Sequence, residues 1–159
     1  MIYAALDPGV KNLGIVVCHI KERKVEVLHR NTLDVSNEQQ SLIEFHTTVT
    51  DAIATVLKAY PISLIVFEKQ MKANNRKILI HNLMNTNVQA IITAVSICSG
   101  CKFVGIEPRE WHYFHGIKDK KTLKVYKSLN LKFDLLNRPI LKTVHEFDAL
   151  FMLTAHLFQ

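Results

Sequence analysis

Nothing in this sequence supplies a secretion signal, a membrane span or a disulfide framework. Cysteine occurs three times, at Cys18, Cys98 and Cys101, an odd set that argues against a stapled secreted scaffold and for a reducing compartment. Every apolar run is shorter than the roughly 20 residues a membrane-spanning helix needs. The opening Met1-Ile2-Tyr3-Ala4-Ala5-Leu6 meets Asp7 too early for a signal core, and an Arg-rich transit segment is missing. Repeats, low-complexity tracts and linkers are absent as well. The expectation is a soluble intracellular protein with one domain over residues 1–159.

Acidic residues are also in short supply. Fourteen Asp and Glu stand against twenty Lys and Arg, a formal charge of +6, and the isoelectric point is near 9.3. This balance favours a polyanionic partner, nucleic acid or phospholipid headgroups, without choosing between them. With 48% hydrophobic residues, the chain has enough apolar surface for a substantial core.

Ile2 to Leu6, Gly14 to Ile20 and Val25 to Leu28 read as three antiparallel strands, with turns at Pro8-Gly9 and Lys21-Glu22. Ser36 and Gln39 suit a capping box. Leu42, Phe45, Val49, Ile53, Val56 and Leu57 then recur at helical spacing, which predicts a helix from about Glu38 to Tyr60, stopped by Pro61. Ser63 to Phe67 and Phe103 to Ile106 have the continuous β-branched and aromatic character of buried parallel strands. Between them, Ile78 to Cys98 reads as a helix ended by Gly100. A short basic helix is expected over Thr122 to Leu131, and a last helix from about Thr143 to Phe158. The order implies an α/β domain: a mixed five-stranded sheet, three antiparallel strands followed by parallel ones, flanked by helices.

Three carboxylate positions carry the chemistry. Asp7 follows a buried strand and precedes Pro-Gly, and Glu68 closes the most apolar strand. Ligands of open α/β sheets collect beyond strand ends, although a solvated residue ending a strand has the same appearance. In His145-Glu146-Phe147-Asp148, positions 145 and 148 share one helical face. An ionised Asp148 among Phe147, Ala149 and Leu150 needs compensation, from a metal ion or from a lysine. Asp7, Glu68, His145 and Asp148 together would make a hard-oxygen site with one imidazole, suited to magnesium or manganese rather than zinc. Two ions about 4 Å apart in such a site activate a water on one side of a phosphodiester and stabilise the leaving oxygen on the other.

Ala5-Leu6-Asp7-Pro8-Gly9-Val10-Lys11-Asn12-Leu13-Gly14 resembles the first strand and turn of RuvC-type Holliday junction resolvases. Val66-Phe67-Glu68-Lys69-Gln70 is similar to their second motif, in a form closer to the poxviral and mitochondrial branches. His145 to Leu150 resembles their C-terminal helix motif, with all three in the same order. The resemblance implies an RNase H-like fold and a homodimeric nuclease. Such an enzyme nicks opposed strands of a four-way DNA junction symmetrically, leaving 5′-phosphates and 3′-hydroxyls, with two magnesium ions per site, manganese substituting, and no organic cofactor. Asp7, Glu68 and Asp148 carry over as metal ligands. His145 stands where many members have aspartate and is the fourth expected ligand, with Glu146 as the fallback.

For DNA contact, Lys69, Lys72, Arg76 and Lys77 follow Glu68, and Met71 occupies the place of an aromatic wedge. A second basic stretch comprises Lys118, Lys120, Lys121, Lys124 and Lys127, preceded by Trp111, Tyr113 and Phe114, whose rings suit stacking on unpaired bases. By the family's order, His112 takes the place of a basic residue, and Lys121 or Lys120 that of an active-site lysine, which would offset charge developing on the phosphate. Cys98/Cys101 and His112/His115 have the wrong spacing for a zinc finger, and Cys98 is expected in the core. Apolar residues on more than one face of the helix from Ile78 point to a partner subunit. Three rivals remain: an RNase H-like nuclease acting on RNA or other branched replication intermediates, a phosphate-handling ATPase or sugar-kinase fold, and a junction-binding protein without activity.

Overall fold

Strand β1 (Ile2–Pro8) is buried along nearly its whole length, and that burial organises the molecule. A computed structural model describes residues 1–9, 11–35, 41–69, 76–117, 122–137 and 140–159, with only the backbone described over 76–85. β1 pairs antiparallel with β2 (Asn12–Lys21), which pairs antiparallel with β3 (Lys24–Asp34). On its other side β1 runs parallel to β4 (Ile62–Glu68), and β4 parallel to β5 (Lys102–Ile106). A sixth strand, β6 (Asp134–Leu135), adds parallel to β3, so the sheet has six strands in the order β5-β4-β1-β2-β3-β6 rather than the expected five. β6 is only two residues long, but Asn137 extends its pairing. The Asn137 amide donates to the Val27 carbonyl (2.8 Å) and accepts from the Val27 N–H (3.0 Å), as a backbone partner would.

The two-residue alternation of β1 sends its side chains into two cores. Ala4 and Leu6 join Leu13, Ile15 and Ile65 beneath α1 (Leu42–Ala59) and α2 (Arg76–Ser99). Tyr3 and Ala5 join Val16, Cys18 and Val66 beneath α5 (Val144–Phe158) and its neighbours α3 (Pro108–His115) and α4 (Leu123–Ser128). Helix α1 buries Phe45, Val49, Ile53 and Val56, a stripe at i+4 and i+3 spacing. Its capping box is Ser41 with Glu44, so it starts later than expected; the alternative box at Ser36 and Gln39 lies outside the described residues. Gly100, at φ +69°, terminates α2 in the left-handed conformation, and the Cys101 N–H closes back on the Ser96 carbonyl at 2.9 Å.

Two expectations need correction. Cys98 is exposed, and the buried cysteine is Cys18, because α2 turns Ser96 and Ile92 to the core at this end. Residues 108–115 form a helix where none is expected: Pro108 sits at the first helical position, where its missing N–H costs nothing. Among the described residues, no helix is long and apolar enough to cross a membrane.

Candidate active site

The ends of β1 and β4 and the first turn of α5 meet on one side of the sheet. Leu6 is in register with Phe67, and both point into the α1/α2 core. Asp7 and Glu68, one residue further on, therefore face the α5 layer. The chain turns back directly after Asp7, with the Gly9 N–H donating to the Asp7 carbonyl at 2.9 Å. At the end of β4, the Lys69 N–H donates to the Ile106 carbonyl (2.7 Å), and the Gln89 side-chain amide of α2 to the Glu68 carbonyl (3.0 Å). These bonds hold the Glu68 backbone in place.

Helix α5 delivers the other two residues. Thr143 caps it, accepting from the Glu146 N–H. Glu146 is only 1% exposed and turns to β3 rather than to the strand ends. One carboxylate oxygen receives the Arg30 guanidinium (3.2 Å) and the Thr32 hydroxyl (3.4 Å); the other receives the Lys142 N–H (2.6 Å) and the Thr143 N–H (3.4 Å). With Glu146 anchored to β3, His145 and Asp148 face β1. Two glycines give them room. A Cβ on Gly9 would lie 3.2 Å from the His145 ring, and one on Gly14 would lie 2.5 Å from the His145 carbonyl oxygen.

His145 Nδ1 lies 2.7 Å from Asp7 Oδ2, a hydrogen bond in which the imidazole N–H donates to the carboxylate. Asp7 is 7% exposed and Asp148 4%. Ligand atoms of Asp7, His145 and Asp148 all lie within 4.8 Å of one another, and among the described residues no other group has such geometry. Two buried carboxylates and an imidazole so close together fit a divalent cation, which would neutralise charges that burial makes costly. Glu68 is not part of this triple; it is half-buried at the adjacent strand end, on the same face.

Tyr126 of α4 completes the pocket, a role that no pattern in the sequence distinguishes from that of any other apolar position. Its hydroxyl donates to Asp148 Oδ1 at 2.5 Å. Burial, the bond to Asp148 and the negative charges of Asp148, Asp7 and Glu68 push this hydroxyl far above the usual tyrosine range, so it stays protonated as a donor.

The expected DNA-contact residues scatter more widely. Lys69 is exposed immediately after Glu68, and Lys124 and Lys127 are exposed on α4. Met71, Lys72, Lys118, Lys120 and Lys121 lie outside the described residues; Arg76 and Lys77 belong to the first turn of α2, with their side chains outside the described part. His112 is half-buried, edge-on to Trp111 with ring centroids 4.0 Å apart. Trp111 itself is fully buried and so has no ring face for a base, which corrects its expected stacking role; Tyr113 is 90% exposed. His115 is buried against Phe151, its Nε2 3.0 Å from the Phe151 carbonyl and 3.1 Å from the Thr154 hydroxyl. Burial, aided by the charge of Lys132 and opposed by the Phe151 bond, lowers its pKa to about 4.

Comparison with known proteins sets this geometry in context. The family model described as Poxvirus A22 protein matches residues 1–105. No curated protein sequence matches the chain. Among solved structures, Thermus thermophilus RuvC in complex with Holliday junction substrate superposes with a TM-score of 0.77 at 18% identity, over 99% of this chain and 94% of that one. The yeast mitochondrial Holliday junction resolvase Ydc2 gives 0.67 at 12% identity, over 96% and 76%. The fowlpox virus Holliday junction resolvase gives 0.58 at 12% identity, over 99% and 98%. At these identities the likeness establishes the shared RNase H-like fold.

Proposed function

The chain belongs to the poxvirus A22 protein family, and from that premise we propose that it is a metal-dependent endonuclease resolving four-way DNA junctions. The observation that carries this reading is the close triple of Asp7, His145 and Asp148 at the strand end, with Glu68 beside it. The fold shared with RuvC and the fowlpox resolvase, both also solved with junction DNA, supports the choice of substrate.

Asp7, Asp148, His145 and Glu68 would hold the divalent cation, magnesium with manganese as a substitute, and two ions are expected per site. When bound, the metal supplies a Lewis acid for the phosphodiester and lowers the pKa of a bound water. Asp7 and Asp148, both largely buried, contribute fixed negative charge. His145 holds a proton against Asp7 Oδ2, and that proton has to leave before Nδ1 can act as a ligand. Tyr126 keeps one oxygen of Asp148 engaged. Hydrolysis breaks the bond between phosphorus and the 3′-oxygen, leaving a 3′-hydroxyl and a 5′-phosphate. Lys69 and Lys124, with the basic segments 70–77 and 118–121, contact the DNA backbone. Lys121 is the candidate for offsetting charge on the phosphate. A homodimer would present two such sites to the near two-fold junction.

The test is a labelled synthetic four-way junction incubated with and without magnesium, beside flaps, RNA–DNA hybrids and structured RNA. Paired symmetric nicks in the junction alone are expected. Tight junction binding with no cleavage in magnesium or manganese would overturn the assignment, and preferential cutting of RNA would change the substrate.

A further inference from the structure

Helix α4 has six residues, too few to be stable alone, and Tyr126 is its one buried side chain. The ring packs against Phe147 and Phe151 of α5, with centroids 5.7 and 5.1 Å away. Phenylalanine would serve that packing equally well. The hydroxyl, which burial would otherwise penalise, reaches Asp148 Oδ1 at 2.5 Å. The terminal torsion of an aspartate is broad and roughly two-fold, so its carboxylate needs an external contact to hold one plane. A donor locked by two aromatic neighbours provides one.

We propose that Tyr126 is a positioning residue for the metal site: its hydroxyl, docked by α4, sets the plane of the Asp148 carboxylate toward Asp7 and His145. The inference rests on the metal-dependent reading of the site. It also ties the exposed Lys124 and Lys127 to the acidic pocket, because Tyr126, which lies between them in α4, bonds to Asp148.

The experiment is Tyr126→Phe in the full chain, read by calorimetric titration with manganese and by kcat and KM on the four-way junction. Partners that orient a metal ligand are typically worth on the order of 10–100-fold in metal affinity. Manganese affinity is expected to fall by about that factor, and kcat with it, while the KM for the junction and cation-free junction binding stay unchanged. Phe133→Leu is the control, since it loosens the same core away from the site. It should lower the melting temperature without changing manganese affinity. Manganese affinity in Tyr126→Phe within about twofold of wild type, or an equal loss in Phe133→Leu, overturns the proposal. A wild-type protein that neither binds manganese nor cuts the junction overturns instead the reading of the site on which the proposal rests.

Discussion

Gly14→Ala is the sharpest perturbation available, because it adds one methyl group and removes no side chain of the site. The new Cβ would lie 2.5 Å from the His145 carbonyl oxygen, 2.7 Å from its carbonyl carbon and 2.8 Å from its Cβ. Ordinary contact begins near 3.4 Å, so the first turn of α5 has to retreat by about 0.9 Å or β2 has to bend. Two of the three atoms are backbone, so a rotamer change cannot relieve the clash. Overpacking of this kind costs about 1–3 kcal/mol, or roughly 3–9 °C in melting temperature for a chain of this size. A displacement near 1 Å at a reacting centre costs on the order of 100-fold in rate. Nicking of the labelled junction in magnesium should fall by that factor while gel-shift affinity for the junction is retained. Wild-type nicking together with an unshifted melting curve would refute the claim that close approach of α5 to β2 builds the site.

Other outcomes follow from the same geometry. Asp7→Asn and Glu68→Gln should each abolish cleavage of the junction with binding preserved in gel shifts, and chelation of divalent cations should do the same to the wild type. Arg30→Met leaves the buried Glu146 carboxylate without its cationic partner and should lower stability by roughly 3 kcal/mol in urea unfolding. His115 is held neutral, with its pKa lowered to about 4. The unfolded chain takes up that proton from near pH 6.5 downward, so stability is complete above pH 6.5 and is lost as pH falls toward 4. The loss amounts to roughly 3 kcal/mol from this group. His115→Gln should flatten that part of the pH–stability curve.

Strands β1 to β5 and helices α1, α2, α4 and α5 were legible because hydrophobic period and breakers agreed along each of them. Helix α3 was not, although Glu107, Pro108 and Glu110 form a regular helix start, because proline after a strand also reads as a terminator. β6 has no periodicity to detect at two residues, and its pairing is completed by the side chain of Asn137. At the site, Asp7 and Glu68 were visible as charges closing apolar strands, and Asp148 as a charge inside an apolar helix. Tyr126 carried no such signal, because a tyrosine in an apolar position looks the same whether its hydroxyl meets water or an acid. The Trp111 ring showed the converse ambiguity: it precedes a basic stretch in sequence, but its neighbours in space are the core.

From Glu146 to Ala155 every residue of α5 is buried, and the helix begins with two members of the acidic pocket. His145 and Asp148 are thus mounted on a helix embedded in the core, while Lys69, Lys124 and Lys127 are exposed. Substitutions that retune grip on DNA can accumulate at exposed positions of this kind without altering the buried helix. Drift of this kind is compatible with relatives that keep the same scaffold at 12–20% identity.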